Sequence, residues 1–373
     1  MNTTGVRSAA RTTGAALVVA AAIAASAPSG AASTDPPVEP SSRDVLDRPH
    51  RPVSTYSVVA RDPVTGRLGV AVESHWFSVG PTVPWARGGV GAVATQSFVR
   101  IDYGPEGLAL MQQGIAAPEA LRRLVEQDDA RDVRQVAMID TGGRVAAHTG
   151  ARCIQAAGHH VGDNYSVQAN LMIDVGVVPA MARAYEASTG DLAERMLAAL
   201  EAAQDAGGDI RGKQSAAILI VEGTRSDRPW KDIVMELRIE DHLEPVKELR
   251  RLVDLWRAYE HMNAGDLAVE HGDMTGALKS YGAAEAMFPD MAEFIFWHAI
   301  ALADNGRLDE ALPLFARAFR LEPGWYLLVP RLPASKLLSD DPEVLRRILA
   351  VGPAGTGAPS GDARVGGPPG SKP

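Results

Sequence analysis

The last third of the chain repeats itself with a period of 34 residues. Glycine, alanine, leucine, an aromatic residue and proline recur in the same order. The matched pairs are Gly272 and Gly306, Ala277 and Ala311, Leu278 and Leu312, Tyr281 and Phe315, Ala284 and Ala318, and Pro289 and Pro323. A unit of this length cannot bury its apolar face alone and must stack on its neighbours. Small alanines allow close helix approach and the proline ends a helix, so the sequence predicts stacked helix pairs.

This order of residues resembles the tetratricopeptide repeat. It predicts an all-α module over residues 264–351, which we expect to present a groove to a protein or peptide partner. Two repeats are fewer than the usual number of about three. We therefore expect Glu244–Met262 and Pro342–Ala350 to supply further helices, with residues 244–263 as a connecting helix. Residues 352–373 are rich in Gly, Pro and Ser, which predicts a disordered tail.

The beginning of the chain has the pattern of a secretory signal peptide. Arg7 and Arg11 precede an apolar stretch, Ala15–Ala27, and small residues follow. That stretch is shorter than the roughly 20 residues that span a bilayer. We expect cleavage to remove residues 1–32 and leave a secreted, periplasmic or cell-envelope protein with no membrane span; an uncleaved anchor is the alternative.

The next segment, residues 33–53, contains five prolines among polar residues. Such a composition cannot bury a core and predicts a disordered leader. The formal net charge of −9 argues against nucleic acid as a partner. The single cysteine, Cys153, cannot form an internal disulfide, so the fold must depend on its core. Cys153 is itself expected to be a buried small side chain rather than a reactive thiol.

Residues 54–243 predict an α+β domain. Val-rich Ser54–Ala60 and Leu68–Val72 flank a turn at Asp62–Gly66, which predicts an opening hairpin. Further strands are predicted at Gly88–Ser97, Val133–Asp140, Arg144–Thr149, Ala216–Val221 and Ile233–Ile239, and helices at Pro105–Gly114, Pro118–Gln127, Val177–Ser188 and Asp191–Ala203. Links of hairpin type indicate antiparallel sheets, with the helices grouped in blocks.

Eight stretches in this domain, taken in order, resemble a known family. They are Thr55–Asp62, Ser74–Gly80, Gly89–Ser97, Tyr103–Pro105, Gly143–Gly150, Gly162–Tyr165, Gly208–Ser215 and Asp241–His242. The sequence from Ser54 to about Leu255 is similar to domain-of-unknown-function family 1028, which is placed in the N-terminal-nucleophile hydrolase superfamily. The resemblance implies a four-layer α-β-β-α sandwich. It implies no particular activity, because none is established for the family.

The superfamily resemblance also implies a nucleophile. In that superfamily a Thr, Ser or Cys becomes the first residue of the first strand, and its own α-amine serves as the general base. The matching residue is Thr55, and Ser57 lies on the same strand face two residues later. The alternative is that Thr55 is only a strand-end residue in a fold without activity.

The threonine proteases of the superfamily also use an acid on the second strand and a lysine on a later one. Glu73 lies near the place of the acid, so it is a candidate catalytic residue. No lysine lies between Thr55 and Ser97. The nearby arginines stay protonated and cannot relay protons. The set of residues known from the proteasome is therefore incomplete here.

Two polar groups near these strands are further candidates. Ser74 and His75 follow the second strand, and a histidine can serve as a base near neutral pH; packing between aromatic neighbours is the alternative for His75. Thr95, Gln96 and Ser97 end an apolar strand. They are candidates for binding substrate or for an oxyanion hole, with turn hydrogen bonding as the alternative.

The run that contains Asp209, Arg211 and Gln214 precedes an apolar strand. These residues are candidates for substrate binding, and bracing of the loop is the alternative. Two adjacent histidines, His159 and His160, would point to opposite faces of a strand, with no carboxylate at ligand spacing. We therefore predict no metal site and no cofactor.

Two hypotheses about function follow. The first is an exported amidohydrolase of N-terminal-nucleophile type that acts on a small amide or peptide-like bond. Some relatives carry wall-binding modules, so a cell-wall fragment is a candidate substrate by resemblance alone. The second is a non-enzymatic exported protein that binds a ligand or partner with the same fold plus the repeats. Enzyme status and homo-oligomerisation both stay open.

Overall fold

The computed structural model describes Val53 and residues 55–353. The predicted signal peptide, the rest of the leader and the tail beyond residue 353 lie outside the described residues. Val53, which the sequence assigned to the disordered leader, differs from that expectation. It is fully buried and its backbone pairs with Ser97. An aliphatic side chain beside a strand end is more stable buried than exposed, whatever the composition of the segment before it.

Ten strands form two separate antiparallel sheets in this part of the chain. The strands are β1 (Thr55–Arg61), β2 (Leu68–Ser74), β3 (Pro84–Arg87), β4 (Gly91–Ser97), β5 (Arg134–Asp140), β6 (Val145–Thr149), β7 (Gly158–Gly162), β8 (Tyr165–Ala169), β9 (Ser215–Val221) and β10 (Ile233–Ile239). The larger sheet has the order β10-β9-β2-β1-β8-β7, and the smaller one has the order β3-β4-β5-β6. All neighbouring strands in both sheets run antiparallel, as the hairpin pattern predicted.

Three of these strands were not predicted from the sequence, namely β3, β7 and β8. Strand β7, with the sequence Gly158–Gly162, is half-buried or exposed, so it carries no apolar alternation. Strand β8 is fully buried but includes Ser166 and Gln168. Its polar residues are stabilised by hydrogen bonds that only the folded protein supplies, so hydrophobic periodicity could not reveal them.

Ten helices accompany the strands in the described residues. They are α1 (Tyr103–Gln112), α2 (Ala117–Glu126), α3 (Val177–Ala187), α4 (Leu192–Asp205), α5 (Pro245–Glu270), α6 (Met274–Met287), α7 (Ala292–Asp304), α8 (Leu308–Leu321), α9 (Gly324–Leu328) and α10 (Pro342–Ala350). The chain is therefore a mixed α/β domain followed by an all-helical region, as the sequence predicted. Within the described residues, no helix is long and apolar enough to cross a membrane.

Three apolar clusters hold the α/β domain together. One joins the outer face of the larger sheet to α3 and α4, with Tyr56 and Val58 among its strand residues. A second joins the smaller sheet to α1 and α2, with Val93 and Met138. The third lies between the two sheets and contains Val59. Successive residues of a strand point to opposite faces, so β1 contributes alternately to the first and third clusters.

Helix α5 joins the two parts of the chain without a break. Its first half packs on β9, β10 and α4, and its second half packs along α6. The boundary predicted between residues 263 and 264 therefore falls inside a continuous helix, since no local turn signal interrupts it. Arg250 of α5 forms ion pairs with Glu194 and Glu201 of α4. These contacts fix the first helix of the repeats to the α/β domain.

The 34-residue repeat corresponds to helix pairs. Helices α5 and α7 each end just before a matched glycine, Gly272 with φ +74° and Gly306 with φ +73°. Glycine is favoured here because the left-handed backbone that ends a helix costs it nothing. Gly265 of α5 lies against Tyr281 of α6, where an added Cβ would be 2.6 Å from the ring. A glycine at this point lets the two helices pack closely.

Candidate functional site

The start of β1 meets the end of β2 between the two sheets. Thr55 pairs with Ser74 across the strands, and both residues are fully buried. The Thr55 hydroxyl donates to the Val53 carbonyl at 2.8 Å and lies 3.1 Å from Ser74 Oγ. The first residue of the strand therefore directs its hydroxyl into the space between the sheets, and the residue two positions earlier covers it.

Ser57 lies on the same face of β1, as the strand periodicity predicted. Its hydroxyl donates to Gln96 Oε1 at 2.6 Å and accepts from Gln168 Nε2, also at 2.6 Å. All three residues are fully buried. The Ser57 hydroxyl thus connects β1 to the facing sheet through Gln96 and to the neighbouring strand through Gln168.

A chain of side-chain amides continues from Ser57 across the space between the sheets. Gln96 Nε2 donates to Gln135 Oε1 at 2.7 Å and to the Thr55 carbonyl at 3.2 Å. Gln135 in turn accepts from Asn170 Nδ2 at 3.0 Å and donates to the Ala169 carbonyl at 2.9 Å. Amides donate and accept hydrogen bonds but do not titrate near neutral pH. This network can orient a substrate or the nucleophile, but it cannot relay a proton by changing charge.

Sequence reasoning missed Gln135, Gln168 and Asn170, which are all fully buried. Gln135 could have been found from the sequence, because it is a polar residue one position inside the end of a predicted apolar strand. Gln96 occupies the corresponding position in β4. The other two lie on or just after β8, which the sequence pattern did not reveal. A buried polar residue must be hydrogen-bonded, so such positions indicate an internal network.

Glu73 lies on the opposite face of the larger sheet from Thr55. It pairs with Tyr56, whose side chain faces α3 and α4. Burial, together with the nearby carboxylate of Asp209, raises the pKa of the Glu73 carboxyl to about 8. The nearby Tyr56 hydroxyl and Gln214 backbone lower the Glu73 pKa in part, although neither makes a hydrogen bond of ordinary geometry to Glu73. Glu73 is therefore mainly a neutral acid at pH 7.

Asp209 and Arg211 lie beside Glu73 and form an ion pair in which Asp209 is buried and Arg211 is partly exposed. Arg211 Nη2 donates to Asp209 Oδ2 at 2.7 Å, and its backbone N–H donates to Oδ1 at 2.9 Å. The backbone N–H of His75 donates to the same carboxylate at 3.3 Å. Gln214 donates to Asp241 at 3.1 Å on the exposed side of the loop. Asp209 thus connects its own loop to the loop that begins at His75, which is a bracing role.

Thr95 and Ser97 lie at the end of β4 but have different surroundings. Thr95 Oγ1 donates to the Arg100 carbonyl at 3.0 Å and so stabilises the following turn. Ser97 has φ +69° and pairs with Val53 through its backbone. Cys153 lies nearby with its thiol donating to the Arg134 carbonyl at 3.3 Å. Burial raises the pKa of this thiol, so it is less reactive than an exposed cysteine.

An open groove of about 790 Å³ lies among the loops beside this end of the sheets. Its lining includes Cys153, Gln155, His159, Asp174 and Val175. The buried amide network reaches this groove, because Gln135 Nε2 donates to Thr149 Oγ1 at 2.9 Å and to the Gly158 carbonyl at 3.1 Å, and both residues line it. Through Gln96, which donates to both Gln135 and the Thr55 carbonyl, the same network connects the groove to the start of β1.

Comparison with known proteins identifies the first domain. Residues 55–249 match the model of a family of unknown function (DUF1028). The chain belongs to this family. A tetratricopeptide repeat model matches residues 262–324. No match was found among curated proteins.

A solved structure of a DUF1028 protein from Silicibacter pomeroyi is similar to this chain. The two are 31% identical, and the match covers 54% of this chain and 84% of that chain, with a TM-score of 0.48. In the DUF1028 domain described here, seven of the predicted site residues fall into two groups. Thr55, Ser57, Ser74 and Gln96 share the space between the sheets. Glu73, with Asp209 and Arg211, lies on the helix side.

One histidine of the DUF1028 domain, His159, lines the groove, and His148 precedes the lining residue Thr149 on β6. His148 Nε2 lies 2.8 Å from the Arg131 carbonyl, and His159 Nδ1 lies 2.8 Å from Thr149 Oγ1. Burial is the main cause that lowers the pKa of His159, with His148 and His160 adding to it. A neutral His159 can accept the Thr149 hydroxyl, so it contributes a polar contact to the groove.

Proposed function

We propose that this chain is an exported amidohydrolase of N-terminal-nucleophile type, with Thr55 as the nucleophile. The proposal includes the four-layer sandwich of that superfamily. Two antiparallel sheets with an apolar cluster between them, and helices packed on the outer face of each, support this arrangement. The substrate would be a small amide or a peptide-like bond, and a cell-wall fragment is included in that class.

The observation that carries the proposal is the position of the Thr55 hydroxyl. It belongs to the first residue of β1, is fully buried between the sheets, and lies 3.1 Å from Ser74 Oγ. Ser57 and Gln96 extend a fixed set of hydrogen bonds from the same strand face. A nucleophile held by such contacts meets a substrate carbonyl in one orientation, which lowers the entropic cost of the reaction.

The chemistry requires a free amine on Thr55. The amine takes the proton of the Thr55 hydroxyl while Oγ attacks the carbonyl carbon of the substrate amide. The carbon–nitrogen bond then breaks, the leaving amine takes up the proton, and an ester to Thr55 remains. Water hydrolyses that ester and restores the hydroxyl. In the uncut chain the Thr55 nitrogen is an amide and has no free lone pair, so the chain must be cut between Ser54 and Thr55.

Self-cleavage would supply that cut. Thr55 Oγ attacks the Ser54 carbonyl carbon, its proton passes to the Thr55 nitrogen as the carbon–nitrogen bond breaks, and an ester joins the two residues. Hydrolysis of the ester leaves a carboxylate on Ser54 and a free amine on Thr55. Ser74 Oγ lies close enough to the Thr55 hydroxyl to assist the proton transfer.

N-terminal sequencing of the purified exported protein tests the proposal. The expected sequence is Thr-Tyr-Ser-Val. Thr55→Ala should keep the leader and lack amidase activity, whereas Thr55→Ser should retain both reactions because it keeps a hydroxyl. Thr141→Ala, in the exposed β5–β6 turn, is the matched control and should behave like the natural protein. An active protein that retains the leader would exclude this mechanism and would point to His75 with Ser74 or Glu73.

A second candidate function is ligand or partner binding without catalysis. It is favoured by the amide network, because Gln96 and Gln135 occupy the space between the sheets and no lysine lies between Thr55 and Ser97. Protein that keeps its leader and has no amidase activity would support it. The repeats are then the main functional surface. We propose a protein or peptide partner for them, since stacked repeats of this kind present a concave surface.

Export is also a proposal, and the intact mass of protein recovered outside the cytoplasm tests it. Signal-peptide removal alone predicts a chain that begins at Ser33, and the second cut predicts one that begins at Thr55. A mass that still includes residues 1–32 would contradict signal-peptide cleavage. The two expected masses differ by the 33–54 segment, so a single measurement separates them.

A further inference from the structure

Val53 occupies a place that the rest of the fold leaves incomplete. Its N–H donates to the Ser97 carbonyl at 2.7 Å, and the Ser97 N–H donates to the Val53 carbonyl at 2.9 Å. The leader thus forms one antiparallel pair with the end of β4. Both backbone groups of Ser97 depend on Val53 for these hydrogen bonds.

Strand β3 is too short to pair with Ser97. Its pairing with β4 reaches Ala94, through Pro84, and the Thr95 N–H donates to the Val83 carbonyl at 3.2 Å. On the other side, β5 pairs along β4 as far as Ser97. The edge of the smaller sheet therefore has an opening one residue long beside the end of β4, and an extended chain segment fits it.

The side chain of Val53 fills an aliphatic site next to this opening. It is fully buried and belongs to the apolar cluster between the sheets, together with Val79 and Val83 from the loop before β3. An aliphatic side chain gains from burial in such a site, whereas a carboxylate loses its hydration without gaining a partner. The site therefore discriminates by side-chain polarity.

We infer that Val53 occupies the subsite of a peptide substrate. This inference rests on the proposed cut between Ser54 and Thr55. Once the leader leaves, the backbone of Ser97 and the aliphatic site become free. A peptide that places its scissile carbonyl beside Thr55 then lays its second residue before that bond in the Val53 position. The substrate class is an extended peptide with Val or Ile at that position.

Peptide binding tests the inference without relying on catalysis. The protein is the chain from residue 55 to residue 373, with Thr55→Ala to prevent turnover, released from a cleavable tag. The probe is acetyl-Arg-Pro-Val-Ser-amide, which corresponds to residues 51–54. Calorimetry compares it with peptides that carry Ile, Gly or Asp in place of Val. We expect Ile to bind within about threefold of Val, Gly about tenfold more weakly, and Asp more weakly still.

Leader variants of the full chain give a second, independent readout. Val53→Ile should be cut at the natural rate, and Val53→Asp should be cut at least about tenfold more slowly. Val64→Asp is the matched control, because Val64 is exposed in the β1–β2 turn, and it should be cut normally. Equal binding of all four peptides would overturn the inference, even if the protein is an active amidase.

The two proposals fail in distinguishable ways. If the Thr55→Ala protein binds the Val peptide selectively but the natural protein, cut at Thr55, has no amidase activity, the subsite is supported and the proposed reaction is contradicted. A chain from residue 55 that shows no cooperative melting would make Val53 a permanent part of the core and would overturn the inference. Cooperative melting together with the expected order of affinities would support it.

Discussion

Thr55 and Glu73 lie on opposite faces of two hydrogen-bonded neighbouring strands. Thr55 pairs with Ser74 on the face toward the smaller sheet, whereas Glu73 pairs with Tyr56 on the face toward α3 and α4. A sheet of backbone therefore separates the candidate nucleophile from the candidate acid. Any effect of Glu73 on Thr55 is therefore indirect.

Glu73→Gln should remove a pH dependence of stability. The folded-state pKa of Glu73 is raised from 4.5 to about 8, so the folded protein holds a proton that the unfolded chain releases. Stability is then fully present below pH 4.5 and falls as the pH rises toward 8. The loss is about 1.4 kcal/mol per pH unit in that window. Urea unfolding at several pH values measures it.

Its control is Glu236→Gln on the exposed side of β10. This variant should keep the natural slope of unfolding free energy against pH, whereas Glu73→Gln should flatten it and be the more stable protein at pH 7. Parallel curves for the natural protein and Glu73→Gln would show that the Glu73 carboxyl is ionised in the folded state at neutral pH.

Gln135→Leu should destabilise the DUF1028 domain. The Gln135 amide forms hydrogen bonds with Gln96, Asn170 and the Ala169 carbonyl, and leucine would leave these buried groups without that partner. We expect a loss of about 2–4 kcal/mol in the free energy of unfolding. Gln127→Leu, at the exposed end of α2, should stay within about 0.5 kcal/mol. A similar effect of both substitutions in chemical unfolding would contradict a structural role for the network.

Gly265→Ala tests the packing of α5 on α6. Alanine normally stabilises a helix interior by about 1 kcal/mol over glycine. Here the new Cβ would lie 2.6 Å from the Tyr281 ring, so overpacking should outweigh that gain and lower the stability by about 1–2 kcal/mol. Gly282→Ala is the control in α6, where the nearest side-chain atom is 4.0 Å away, and it should raise the melting temperature.

If both alanine variants raise the melting temperature, the two helices are not packed as closely as described. If both lower it, the effect comes from the backbone and not from the Tyr281 contact. The opposite signs expected for Gly265 and Gly282 therefore separate packing from helix propensity in one pair of thermal scans.

Arg250→Ala should loosen the joint between the two parts of the chain. Arg250 is partly buried and binds Glu194 and Glu201 on α4. Among the described residues, its neighbour Arg251 forms ion pairs only with Glu248 on its own helix. We expect Arg250→Ala to cost about 1–2 kcal/mol and Arg251→Ala less than about 0.5 kcal/mol. Amide hydrogen exchange in α4 and the first half of α5 should increase for Arg250→Ala alone; equal exchange in both variants would contradict this role of Arg250.

The sequence by itself determined the elements whose signals are local. The opening hairpin has a turn at Asp62–Gly66 between two Val-rich runs, and the repeat has matched residues at one fixed spacing. Both signals depend on neighbours along the chain, so they could be recognised without coordinates. The same holds for Gln96, which belongs to a run of three polar residues at the end of an apolar strand.

Only the tertiary structure decided which polar residues meet. Residues next to each other in sequence, such as Glu73 and Ser74, point to opposite sides of the sheet, while Ser57 and Gln168 meet across 111 positions of the chain. The buried strand β8 and the pairing of Val53 with Ser97 could not be predicted from the sequence either. Their polar groups are stabilised by partners that only chain folding brings within hydrogen-bond distance. Local composition does not indicate which residues those partners are.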